Sequence, residues 1–183
     1  MSLVVVYDAN VLYPSTLRDV LIRAGIARLV RPKWTDDILD EVFENLRKNR
    51  PDLDPARLDR TRGLMNGAIR DVRVTGYEQH IEGLRLPDPD DRHVLAAAIQ
   101  AEAQLIVTHN LRDFPVDALT PWGVAAEHPD RFLTDVHSEH PGVLRDIVVA
   151  IVTAWGGGAT TDDVLDRLAI DAPRAAERIR TQI

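Results

Sequence analysis

Four acidic residues stand where carboxylates could work together: Asp8, Glu41, Asp91 and Asp113, with the amide Asn110 close to the last. Asp8 ends the apolar run Leu3 to Tyr7 in "LVVVYDANVLYPS". A run of that kind closed by a turn reads as a fully buried strand of a parallel sheet, and the C-terminal edge of such a sheet is where ligands bind. The segment "AQLIVTHNLRDFP" repeats the arrangement, with Leu105 to Val107 as a buried strand that delivers Thr108, Asn110 and Asp113. Three or four carboxylates at one edge cannot all stay ionised without a compensating cation. Hard oxygen donors favour Mg²⁺ or Mn²⁺ over zinc. A cation so held serves hydrolysis or transfer at phosphorus, and a two-metal site would place its ions about 3.5–4 Å apart. His93 and His109 fall near this set but lack the pairing of a zinc site. Each acid also has a plain structural role: Asp8 closing an Asx turn, Asp88 or Asp91 capping a helix, Glu41 on a helix surface, Asp113 ending a loop. They point to chemistry only as a set.

The elements that must position them follow from periodicity. After the first strand, Ser15 or Thr16 can cap a helix, with Asp19 completing a capping box. Thr35 caps the next, whose buried stripe is Ile38, Leu39, Val42, Phe43 and Leu46; Glu41 lies beside that stripe, and Glu44 precedes Lys48 at ion-pair spacing. A helix from about Pro55 to Ile69 and a short strand around Val72 to Val74 come next. In "LPDPDDRHVLAAAIQAEA", Asp88 is an N-cap, Pro89 takes the first helical position and Asp91 the third. Trp34, Trp122 and Trp155 read as core anchors. Beyond about His128 the pattern is helical: Val143 to Trp155, a break at Gly156 to Gly158, a restart at Thr160 or Thr161, and a last helix from Pro173. The one further strand signal is Gly123 to Ala126. These patterns predict an α/β domain over 1–127 with a helical C-terminal extension over 128–183.

Composition narrows the function classes. A chain of 183 residues, 45% of them hydrophobic, can bury a core without staples. With no cysteine, disulfides, zinc-thiolate sites and a Cys nucleophile are excluded. No segment has the layout of a signal peptide or the length of a membrane span, so a soluble cytoplasmic protein is expected, with no membrane partner. The net charge of −7 is unevenly spread: residues 1–80 hold 13 Lys and Arg against 12 Asp and Glu. The basic residues between Arg47 and Arg73 could form a phosphate-binding face or an ordinary solvated helix pair.

Taken together, "VYDANVLYPS", "ILDEVFENL", "LPDPDDRHVLAAAI" and "IVTHNLRDFP" resemble the PIN domain, the nuclease fold of VapC-type toxins in bacterial toxin–antitoxin pairs. The resemblance covers about residues 3–127, with its four segments in the family's order. It implies an α/β fold with a PIN-like parallel sheet flanked by helices, Mg²⁺- or Mn²⁺-dependent cleavage of RNA, and a cognate antitoxin that blocks the site. Asp8, Glu41 and Asp91 match the family's acidic triad. Asn110 stands where other members have Asp, and Asp113 matches the acid before the "FP" turn; either could complete the site, and Thr108 matches a polar residue that supports it. Metal ligands are thus expected among Asp8, Glu41, Asp91 and Asp113. Arg47, Lys48 and Arg50 are a first guess for the basic rim that meets RNA. Homodimers are usual in the family, and the apolar face from Val143 to Trp155 could serve a dimer, the antitoxin or the chain's own core. Two alternatives stand beside this reading. One is a PIN-like fold kept only for binding. The other is a haloacid-dehalogenase-type phosphatase, which wants a second Asp where Asn10 stands and a lysine that neither Lys33 nor Lys48 is well placed to supply.

Overall fold

The computed structural model describes residues 2–183. Four strands form one parallel sheet: β1 (Val4–Tyr7), β2 (Arg31–Lys33), β3 (Leu105–Val107) and β4 (Ala125–Glu127), in the order β2-β1-β3-β4. β1 and β3 are buried along their whole length, which is why both read as unbroken apolar runs rather than alternating ones. The expected parallel sheet flanked by helices is present. β1 sits between β2, its successor in sequence, and β3, about a hundred residues later, so the topological switch point falls between β1 and β3.

Before the sheet crosses over, the chain forms α1 (Ala9–Leu12), α2 (Ser15–Ile26), α3 (Asp36–Asn49), α4 (Pro55–Ala68), α5 (Glu78–Ile81) and α6 (Arg92–Gln100). After it come α7 (Val116–Leu119), α8 (Pro129–Glu139), α9 (Val143–Trp155), α10 (Thr161–Asp171) and α11 (Pro173–Arg180). Thr35 caps α3 by accepting from the Ile38 amide at 3.0 Å. Thr160 caps α10 in a capping box with Asp163. The helices from α8 onward share one apolar core with the sheet: α9 and α10 pack on α2, and Phe132 of α8 meets Tyr7 of β1 edge to face, ring centroids 6.1 Å apart. Asp130, buried in α8, accepts from the Ala175 amide at 3.0 Å and so ties the start of α11 to the rest. No helix among the described residues is long and apolar enough to cross a membrane.

Several local expectations are corrected. β2 carries no apolar run; Pro32 sits in it because this is an edge strand whose outer side needs no donor there. The strand expected at Val72 to Val74 is a single bridge between Arg73 and Trp34, made by two backbone bonds of 2.8 and 3.0 Å. Pro14, not Ser15 or Thr16, occupies the cap of α2, and Asp19 pairs with Arg23 at 2.7 Å instead of closing a capping box. Glu44 and Lys48 form no ion pair among the described residues. Trp34 is fully buried, but Trp122 is 48% exposed and anchors nothing.

α2 packs closely at Gly25, where a β-carbon would stand 2.5 Å from Pro32 Cγ and 2.7 Å from Ile69 Cδ1. Gly25→Ala is expected to lower stability by about 1–3 kcal/mol through overpacking, despite alanine's better helix propensity. Urea unfolding of the two proteins measures it, and an unchanged or raised midpoint would show that α2 slides without cost.

Candidate active site

Asp8 leaves the end of β1 in extended geometry and becomes the N-cap of α1. It is only 5% exposed, and both of its carboxylate oxygens accept hydrogen bonds. Oδ1 accepts from the Ala9 amide at 2.8 Å, while Oδ2 accepts from Thr108 Oγ1 at 2.8 Å and from Asn10 Nδ2 at 3.1 Å. Thr108, fully buried at the end of β3, also accepts from the Asn110 amide at 3.1 Å. Asn10 completes the lattice by accepting from the His109 amide at 3.0 Å and donating to Thr108 Oγ1 at 3.1 Å. Asn10 was not singled out as a site residue from the sequence. Its position two residues after Asp8 was the available signal, but its partners lie almost a hundred residues away.

Glu41 projects from the exposed side of α3, beside the buried stripe of Ile38, Val42 and Phe43. Asp91 stands at the cap position of α6 without capping it, because Asp88 already accepts from the Asp90 amide at 2.9 Å to close the preceding turn. The carboxylates of Glu41 and Asp91 have no hydrogen-bond or ion-pair partner among the described residues. Asp113 lies half-buried in the short turn Leu111–Asp113 after β3. Asn110 is exposed, and only its backbone joins the network.

These acids share one electrostatic field. Burial pushes the Asp8 carboxyl up, against the pull of its hydrogen bonds to Thr108 and Ala9 and of nearby His93, and Asp113 pushes it further. Partial burial, then Asp8, Asp88, Asp90 and Glu44, raise Glu41. Asp91 is pushed up to about 7 by burial first and then by Asp8, Asp113, Asp88 and Glu41. The structure therefore brings Asp8, Glu41, Asp91 and Asp113 to the C-terminal edge of β1 and β3, and among the described residues no lysine or arginine pairs with them. His93 and His109 both feel the Asp8 charge, and burial lowers each below its ordinary range. Among the described residues no three of these groups already stand in a cation-holding arrangement. The donor set nonetheless fits a hard divalent cation: every donor is an oxygen, two carboxylates are free to turn, and an added positive charge would relieve their mutual repulsion.

The C-terminal helices brace the loop that carries this edge. The Asp130 amide donates to His128 Nδ1 at 3.2 Å, so the His128 proton lies on Nε2 and points to His109 Nδ1, also 3.2 Å away. His109 then turns Nε2 toward Asp171 Oδ1 of α10, at 3.2 Å but off the N–H direction, a polar contact rather than a hydrogen bond. Burial holds His109 below its ordinary range, consistent with a neutral ring in that chain.

A family model described as "PIN domain" matches residues 4–112, from β1 to the turn that holds Asp113. The chain belongs to the PIN domain family. Within it, "Putative ribonuclease VapC50" of Mycobacterium tuberculosis (strain ATCC 25618 / H37Rv) is 40% identical over 91 residues, 49% of this chain and 54% of the relative. The chain thus spans about half the length of the curated relative it matches. No solved structure matches it. The matched region contains Asp8, Glu41 and Asp91 and the Thr108 and Asn10 lattice, and it ends before the helices that brace the PIN domain from the C-terminal side.

The shift of Asp91 has a sign that can be measured. Its folded-state value near 7 lies above the ordinary 3.8, so its stabilising contribution is complete below about pH 3.8 and is lost as pH rises through about 7. Asp8 and Glu41 act in the same direction. The metal-free protein is expected to lose stability from acidic to mildly alkaline pH, and Asp91→Asn to lose less. Urea midpoints across that range test it; parallel curves for the two proteins would mean that Asp91 ionises without cost.

Proposed function

We propose that this PIN domain is an Mg²⁺- or Mn²⁺-dependent endoribonuclease, the toxin of a VapBC-type pair acting in the cytoplasm and held in check by a cognate antitoxin. The reading is carried by one observation: three acids, Asp8, Glu41 and Asp91, all raised above their ordinary range, converge at the switch point of a parallel sheet, where among the described residues no lysine or arginine pairs with them. The similarity to a protein named a VapC ribonuclease supports the choice of RNA and of an antitoxin partner.

In this reading Asp8, Glu41, Asp91 and Asp113 hold the cation. When bound, it supplies charge neutralisation at the phosphodiester and a more acidic water for in-line attack. Asp8 is the fixed point of the set. Its donors Thr108, Ala9 and Asn10 favour the charged form of the carboxylate against its burial and aim it, as supporting shells do around metal ligands. Glu41 and Asp91, free of other bonds, adapt to the ion. Asp113 takes the fourth place, since it shares the field of Asp8 and Asp91, and Asn110 is left to orient water or substrate. No side chain needs to act as a nucleophile.

Purified protein incubated with a mixed RNA pool is expected to cleave it with Mn²⁺ or Mg²⁺ and not with EDTA. Asp8→Asn is expected to slow cleavage by about a hundred-fold or more, because the fixed ligand loses its charge and one acceptor oxygen while its size is kept. Equal rates for the two proteins would remove Asp8 from the chemistry. Inertness of both, with intact folding, would favour a PIN-like fold used for binding alone.

A further inference from the structure

Glu41 is the first of three residues at four-residue spacing on α3. Glu41, Asn45 and Asn49 lie one above another and extend for about 12 Å away from the acidic edge. With Asn10 and Tyr13 they line a cleft of about 330 Å³. Tyr13 also walls a second cleft of about 400 Å³ whose lining includes Arg50 and Arg57. Tyr13 is common to the walls of both clefts.

The ring is set in place from both sides. Asn49 Nδ2 donates to the Tyr13 hydroxyl at 3.3 Å, and Arg18 Nη1 donates to the Leu12 and Tyr13 carbonyls at 2.8 and 3.2 Å, fixing the turn between α1 and α2. The basic rim first guessed from the sequence is largely engaged elsewhere: Arg47 pairs with Asp59 at 2.6 Å and Arg50 with Asp52 at 2.7 Å. Arg57 is exposed, and its guanidinium has no acidic partner among the described residues. The charge along the path thus changes sign, from carboxylates through neutral amides and a phenol to an uncompensated cation.

We propose that this path is the track for single-stranded RNA: a phosphate is held at Arg57, a base lies on Tyr13, Asn45 and Asn49 meet base or sugar edges, and a phosphodiester further along the strand reaches the acids. The proposal rests on the ribonuclease reading and adds to it the residues that hold the strand. Aromatic faces and amide edges recognise unstacked bases, whereas an A-form duplex keeps its bases stacked inside and offers Tyr13 no face. A neutral peptide would gain nothing from the isolated Arg57, and an acidic one would be repelled at the other end.

The test is binding, read apart from cleavage. A fluorescein-labelled ten-nucleotide single-stranded oligo(U) is titrated in EDTA with the full chain carrying Asp8→Asn, and with the same chain carrying in addition Tyr13→Ala, Arg57→Gln or Asn45→Asp. Tyr13→Ala is expected to weaken affinity about ten-fold by removing the stacking face. Arg57→Gln should weaken it and flatten the salt dependence by about one unit of slope. Asn45→Asp should weaken it through added charge while leaving the fold untouched, so the test survives if Tyr13→Ala unfolds. A self-complementary RNA duplex should bind more weakly than the single strand. Undetectable binding by the parent, or affinities unmoved by all three substitutions, overturns the track and leaves the face to a protein partner. Failure of the ribonuclease reading looks different: the oligonucleotide binds and the substitutions weaken it, yet the unsubstituted chain never cleaves it with Mg²⁺ or Mn²⁺.

Discussion

Asp8 is a carboxylate held out of water, and it stays there because donors from two strand ends converge on it. A buried carboxylate without partners would cost several kcal/mol. Here the Ala9 amide, the Thr108 hydroxyl and the Asn10 amide offset that cost and make the pairing of β1 with β3 electrostatic as well as hydrophobic. The lattice has no slack. Thr108 gives its proton to Asp8 and accepts from Asn10 and Asn110, and Asn10 spends its oxygen on His109. Removing Asp8, Thr108 or Asn10 takes away hydrogen bonds that cross between the two strand ends, so the lattice fixes their relative position.

The other acids of that edge are built on the opposite principle. Glu41 and Asp91 are given neighbours of like charge and no donors, a local conflict of the kind that folds retain where chemistry is done. Asp88 makes this possible at Asp91 by taking over the capping duty, and the buried stripe of α3 makes it possible at Glu41 by fixing which way the helix faces. One rigid carboxylate and several adaptable ones suit a cation that must admit a substrate oxygen and release it. The helices beyond β4 contribute no acid to this set. They contribute rigidity, through the His128 to His109 to Asp171 chain and the shared core with α2.

The sequence made the central strands legible because both are buried on two faces and leave an apolar run that nothing else in a chain of this size explains. α3, α9 and α10 were legible from stripe and cap. β2 was not, since an edge strand of three residues with a proline carries no pattern of its own and exists only because β1 offers it partners. The strand end at Asp8 and the spare carboxylate of Asp91 could be picked out by local logic, the second because one cap residue suffices. Asn10, and the place of Tyr13 in the walls of two clefts, could not, because each is defined by groups far away in the chain. The capping box expected at Asp19 failed for a related reason: Pro14 presets the entry to α2, and Arg23 is a better partner for the carboxylate.

The hydrogen bond between Thr108 and Asp8 also joins residues a hundred positions apart, and the central register pairs Val5 with Leu105. Contacts that distant form late, since the loop between them must close before they return any stability. During synthesis, β1 therefore waits without its inner neighbour until β3 has left the ribosome, and Asp8 waits without its donor. The acids of α3 and of the turn before α6 are already made by then, but they have no fixed carboxylate to gather around. Whatever chemistry this edge does, its site cannot be assembled while the first half of the chain is still alone on the ribosome.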